Sequence, residues 1–375
     1  MNLFDECAPD PKYCSDPFPY LEQLRKATPY FFNEQRQAWF VSSYREVARL
    51  LGEPRLDVSA TSFADQSPVF RSAVVPRLRA FFARPDPTPF VELIERVVQG
   101  QLQRLLEERR ADLAQLSRSV PVGVMGEMLG IPQADLKVLQ ELSSHVLRAY
   151  DLSWPGGPAR FPKPTAFLDA YFGEHLAAAR KGSATPLVSA LLEAQREQKL
   201  SEASIVEALT RMFDAGQLSI TGCIANVLEW ALSSSAAAES LSHSFAADPR
   251  QTIDELIRLH VPVLASRRLA REPVETTNGT IETGQRVYLL NSCANRDPQA
   301  FSEPNSFRPG EARKAHLGFG LGHYYCLGAP LARLEIHAVL THFLPLLGKI
   351  RACGPTIWRQ SWLIHQPDAL EVLLN

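Results

Sequence analysis

The chain has 375 residues, 45% hydrophobic and 21% charged, enough to bury a sizeable core in one large domain or two smaller ones. Its 39 basic and 41 acidic side chains leave a formal net charge of -2, which removes any bulk electrostatic reason to expect nucleic acid or an anionic membrane as a partner. Residues 1–15 carry Asp5, Glu6, Asp10 and Lys12 in place of a signal peptide's apolar centre, and no run is long and apolar enough for a bilayer; with six cysteines in no paired metal-site spacing, a reduced, cytoplasmic chain is expected.

In chain order, an amphipathic stretch at 20–26, an alternating segment at 38–42 and a helical pattern at 46–51 predict a helix, strand, helix opening. From about 77 to 259 the apolar residues recur at helical spacing, as in Leu102, Leu105 and Leu106, then Val124, Met125, Met128 and Leu129. The middle of the protein is therefore predicted to be helical. Proline, glycine and small polar residues mark loops at 84–89, 154–164 and 181–186, with similar helical patterns on either side of each. Beyond 259 the pattern shortens: 274–276, 280–282 and 286–291 read as strands around Asn278-Gly279 and Thr283-Gly284 turns. A final helix at 329–347 leads into a hairpin-like tail. No solenoid repeat or low-complexity tract interrupts the chain, so the expectation is a single domain over 1–375, mainly α with small β-sheets.

The stretch Phe319-Gly320-Leu321-Gly322-His323-Tyr324-Tyr325-Cys326-Leu327-Gly328 puts a cysteine at the mouth of the last helix. Backbone amides and the helix dipole stabilise a thiolate there, and glycines let the main chain approach a flat cofactor. A lone cysteine is more often a small buried hydrophobe. Within this pattern, continued by Leu331-Ala332-Arg333-Leu334-Glu335, Cys326 reads as a ligand, and the whole resembles the haem loop of the cytochrome P450 family. In that family the thiolate pushes electron density onto iron and favours O–O cleavage. The resemblance implies a cytochrome P450-like fold with a long central helix over haem b, Cys326 as axial iron ligand, and Phe319, Gly320 and Gly328 beside the cofactor.

Glu255 and Arg258 match the family's Glu-x-x-Arg, although such a pair alone is usually a solvated ion pair. Pro262-Val263, Arg268, Ala294-Asn295-Arg296-Asp297-Pro298 and Phe307-Arg308-Pro309 follow in family order. Where the family usually has a third network member, this chain has Ser306, which leaves Arg308 as the candidate substitute. Arg268 and Arg79 are implied as propionate arginines, Arg79 competing with a reading as a plain surface arginine. Val75 and Tyr324 stand at positions where the family often has His, or His or Arg. Propionate anchoring is thus expected to use the Tyr324 hydroxyl or His323.

Residues 209–232 align with the family's oxygen-activation helix, usually Ala-Gly-x-Asp/Glu-Thr, and read Ala215-Gly216-Gln217-Leu218-Ser219. The small pair is expected to let the helix open over the iron. Ser219 keeps the alcohol, or in the bland reading bonds back to a carbonyl. Leu218 removes the acid, so Gln217, Thr221, water or the substrate is expected to deliver protons. Phe63, Phe70, Tyr150, Leu218, Val263 and Trp362 are the expected pocket residues, each aromatic weighed against a role in the core. No dinucleotide, flavin or iron–sulfur segment is appended, so a ferredoxin or flavodoxin-type donor is implied, docking near Arg313, Lys314 and Arg333. The expected activity is hydroxylation or oxidative ring coupling of a medium-sized organic or peptide-like substrate in specialised metabolism. The alternatives are a catalytically degenerate recruitment module and, last, peroxide-driven chemistry.

Overall fold

The computed structural model describes residues 3–4, 6, 8–58, 68–148, 151–152, 162–182, 184–311 and 314–374; of residues 68–71, 104, 146–148 and 162–165 it describes the main chain alone. Helices dominate, and small sheets sit to one side of them.

The organising element is the helix Glu202–Leu232, 31 residues long and about 46 Å from end to end. Ser201 caps it, its hydroxyl accepting the Ser204 N–H at 3.1 Å. The consecutive residues Ile224, Ala225, Asn226, Val227 and Leu228 are all buried, so every face of its C-terminal half is covered, as expected of a helix running through a core rather than across a surface. It packs most extensively on the helix Leu113–Leu129. A Cβ on Gly216 would lie 2.6 Å from the Met125 sulfur, so the missing side chain leaves room for the Met125 thioether against the long helix. The helix is continuous past Gly216.

The expected helix, strand, helix opening is a helix Phe18–Ala27, a hairpin Tyr30–Asn33 with Ala38–Val41, and a helix Tyr44–Leu51. That hairpin begins a five-stranded sheet. Ala38–Val41 pairs parallel with Arg286–Leu289, which pairs antiparallel with Ser266–Ala270, and Leu56–Asp57 forms the far edge. Val274–Thr276 and Gly279–Ile281 form the hairpin anticipated at Asn278-Gly279. At the C-terminal end Glu371–Leu374 pairs with both Arg110–Asp112 and Ile350–Ala352, tying the tail back to the helical half. Among the described residues no helix is long and apolar enough to cross a membrane.

Candidate active site

Cys326 stands just before the helix Ala329–Phe343, at the end of a loop shaped by glycine. Gly320 and Gly322 have φ of 70° and 72°, the left-handed region that strains an L side chain. A Cβ on Gly322 would also lie 3.1 Å from the Gly52 Cα, so the turn rests directly on the end of the helix Tyr44–Leu51. The Cys326 N–H closes the loop by donating to the Phe319 carbonyl at 2.9 Å. Arg333 covers the Phe319 ring at 4.7 Å from its centroid and is itself held by Asp254 at 2.7 Å. The Cys326 side chain is exposed. Desolvation by the close-packed loop still pushes the thiol pKa up, while the N–H groups of Gly328 and Ala329 and the charge of Arg333 favour the thiolate.

Two residues before the cysteine, Tyr324 donates its hydroxyl to Asp57, and the Arg268 guanidinium lies 5.0 Å from its ring centroid. Arg268 is 5% exposed; its Nη1 donates to the Arg267 carbonyl at 3.0 Å, and its Nε has no partner among the described residues. Burial lowers its pKa to about 10. A buried guanidinium with a hydrogen bond unmade is suited to a carboxylate. With an open thiol at a helix start and a buried guanidinium one hydrogen bond short, the donor set fits a haem: a sulfur for iron and Arg268 for a propionate, while the one O–H of Tyr324 is spent on Asp57 and its ring backs the guanidinium. Of the groups expected to anchor propionates the structure brings these two together, whereas Arg79 and His323 occupy exposed positions.

Behind the loop, Arg258 is 2% exposed and chelates Glu255 through Nε and Nη2, each at 2.8 Å. Its remaining donors reach the carbonyls of Asn295, Pro304 and Ser306 at 2.8, 2.6 and 3.1 Å. The side chain of Arg308 does not complete this network. It pairs at the surface with Glu303 and Glu311, and only its backbone N–H reaches Glu255, at 2.9 Å. Glu255 and these carbonyls already saturate Arg258, so no second cation is needed.

A cavity of about 360 Å³ opens against the long helix, with Ala215, Leu218 and Ser219 on one wall and Val263, Leu363 and Ile364 opposite. Ala215 and Ser219, one turn apart, are exposed positions in an otherwise largely buried helix. The Ser219 hydroxyl bonds to no carbonyl among the described residues, so the back-bonded reading of that serine does not hold. Gln217 is 1% exposed and outside the cavity lining, with its Nε2 unpartnered among the described residues. Trp362 is a correction. It is 3% exposed and packs in the core against Tyr13 and Phe4, with centroids 4.8 and 5.5 Å away, while the residues after it reach the cavity. Phe63 and Tyr150 lie outside the described residues, as does the side chain of Phe70.

Sequence reasoning missed the charged cavity residues Asp151, Asp214, Arg267 and Arg359. Asp214 had a signal: it is the only acid between Glu207 and Glu229 in the long helix, one turn before Leu218. Asp214 is 2% exposed and accepts the Ser143 hydroxyl, and burial raises its pKa to about 7. Asp151 offers no comparable pattern, since its partners Ser361, Trp362 and Leu363 stand about 210 residues away. On the opposite face, a groove of about 320 Å³ carries Lys314 and Arg333 among acidic neighbours; Lys314 also lies 5.3 Å from the Tyr44 ring, and Arg313 is outside the described residues.

The family model for cytochrome P450 matches residues 250–346, the span from the Glu/Arg helix through the cysteine helix. Cytochrome P450 109 of Bacillus spizizenii is 28% identical over 341 residues, covering 88% of this chain and 84% of that protein. The mycinamicin IV hydroxylase/epoxidase of Micromonospora griseorubida is 29% identical, covering 90% of this chain and 89% of its own. Among solved structures, epothilone B-bound cytochrome P450epoK superposes with a TM-score of 0.87 at 22% identity, over 100% of this chain and 99% of that one.

Proposed function

We propose that this chain, which belongs to the cytochrome P450 family and is a haem-dependent oxidoreductase of the monooxygenase class, hydroxylates or oxidatively couples a medium-sized organic substrate of specialised metabolism. In this reading Cys326 is the axial ligand of a haem b, and electrons come from a ferredoxin or flavodoxin-type donor. The observation that carries it is the joint placement of an open Cys326 thiol, the buried Arg268 with its unmade hydrogen bond, and a largely apolar cavity lined by Arg268 itself.

When bound, the haem supplies activation of dioxygen. The protein's own part divides by region. Cys326 is held in place by the Phe319 carbonyl and the start of its helix. Arg268 would hold a propionate, and Tyr324, whose hydroxyl donates to Asp57, packs its ring against that guanidinium and keeps it in place. Leu218, Val263, Leu363 and Ile364 keep water from an apolar substrate body. The Ser219 hydroxyl offers a rotatable proton donor from the cavity side of the long helix, and the acid that the family usually carries beside it is absent because Leu218 occupies that position. Lys314 and Arg333 are the charges offered to the electron donor.

The test is the absorption spectrum of the reduced protein under carbon monoxide, for wild type and Cys326→Ala. A red-shifted thiolate band that the substitution abolishes is expected. A wild-type protein that takes up no haem would overturn the reading.

A further inference from the structure

The charge pattern of the cavity extends this reading to the class of substrate. Its walls are mainly aliphatic, yet Asp151, Asp214, Arg267, Arg268 and Arg359 also line it. All but Asp214 are accounted for, Arg267 by an interaction of its own. Asp151 takes the Ser361 hydroxyl and the N–H groups of Trp362 and Leu363, at 3.3 and 3.1 Å. Arg359 is bound to Asp368 at 2.9 Å. Arg268 lies over Tyr324 and belongs to the propionate site.

Asp214 differs. Its hydrogen-bond partner is the neutral hydroxyl of Ser143, itself 0% exposed on the helix Leu136–Arg148, and no cation pairs with it among the described residues. Arg211, one turn earlier, is committed to Glu207 at 2.5 Å. A carboxylate this deep is costly unless a cation or further donors meet it, and one hydroxyl satisfies only a fraction of its four acceptor sites. Because Asp214 borders the cavity, a ligand there can provide what the fold does not.

We propose that Asp214 is the substrate-recognition residue of the cavity, and that the substrate is an apolar molecule carrying a basic nitrogen seated on this carboxylate. The inference rests on the proposed oxidase reading. The apolar body lies along Leu218, Val263 and Ile364, and the ammonium donates to Asp214 beside Ser143, so this contact fixes which carbon faces the haem side.

The experiment is equilibrium dialysis of the haem-loaded protein against tertiary amines, a dimethylamino-phenylcyclohexane and a dimethylamino-steroid, each paired with the neutral isostere in which C–H replaces nitrogen. Wild type is expected to bind at least one amine roughly ten-fold tighter than its isostere, as a charge-assisted hydrogen bond implies. Asp214→Asn should erase that preference while leaving isostere binding intact, and Ser143→Ala, which keeps the carboxylate, should retain it. Wild type that binds no amine better than its isostere overturns the proposal whether or not the variants fold, as does a preference that survives Asp214→Asn. The carbon monoxide spectrum of the same sample separates the two readings: a thiolate band without amine preference sinks only this inference, and a missing band sinks the oxidase reading.

Discussion

The cysteine loop with its Glu255–Arg258 brace and the cavity face of the long helix are built under opposite constraints. In the loop, each residue type answers to the backbone. Gly320 and Gly322 sit at positive φ, Gly322 leaves no room for a side chain against Gly52, and Arg258 is enclosed by three carbonyls and a carboxylate. On the helix, Ala215, Leu218 and Ser219 face a cavity, where no neighbouring backbone dictates what they must be. A region whose chemistry is fixed by main-chain geometry keeps a readable pattern; a wall that answers to a ligand does not.

The comparison can be broken at its most rigid point. Arg258→Ala strands the Glu255 carboxylate and three carbonyls in a buried site, and the expected loss is about 3–5 kcal/mol in chemical denaturation, with haem retention falling alongside. A loss below about 1 kcal/mol would mean that the loop is not braced from behind.

The helix side predicts a dependence on pH. Burial raises the Asp214 pKa from the usual carboxylate range to about 7, which gives stability that is fully present below the unfolded value and lost as pH rises through the folded one. Around the carboxyl stand Ser143 across the helix pair, Arg211 on its own helix and Asp169 on the helix Pro162–Ala179; Met125 packs beside Gly216. Asp214→Asn keeps an acceptor for Ser143 and removes the ionisation. It should therefore stabilise the ligand-free protein by roughly 2–4 kcal/mol at alkaline pH and by little near pH 4. Equal unfolding midpoints across that range would place the carboxyl in a more solvated setting than the fold indicates. The smallest effect belongs to Arg308→Ala, expected within about 1 kcal/mol because its guanidinium serves surface pairs while its backbone N–H, which Ala retains, holds Glu255.

Most of the helical half was legible because apolar spacing and proline punctuation are local signals, and the hairpin at Asn278-Gly279 announces itself by turn chemistry. Cys326, Arg268 and Tyr324 were found from the loop pattern and its spacing. What stayed hidden depends on partners remote in sequence. Arg308 reads as the substitute for the missing network member until the structure shows that the Ser306 carbonyl, which any residue has, helps complete the brace. Trp362 and Leu363 are neighbours in sequence, yet one enters the core and the other the cavity, a choice made by Tyr13 and Asp151 far away. Asp214 was visible as an odd residue, but its burial against Ser143 was not.

The cavity wall at 363–364 also records how the chain is threaded. Tyr13 donates to the Trp362 carbonyl at 2.9 Å across 349 residues of sequence, and His365 meets the Cys14 carbonyl at 3.1 Å across 351. Leu264 and His365 pair in turn with this segment and with Pro262. The wall is thus a seam sewn between the short helix Pro11–Ser15 and the segment that links the strands Ile357–Trp358 and Pro367–Ala369. Such contacts carry the largest closure entropy in the molecule and the least local encouragement to form, so the binding chamber becomes a chamber only after the rest of the fold has brought distant stretches of the chain together.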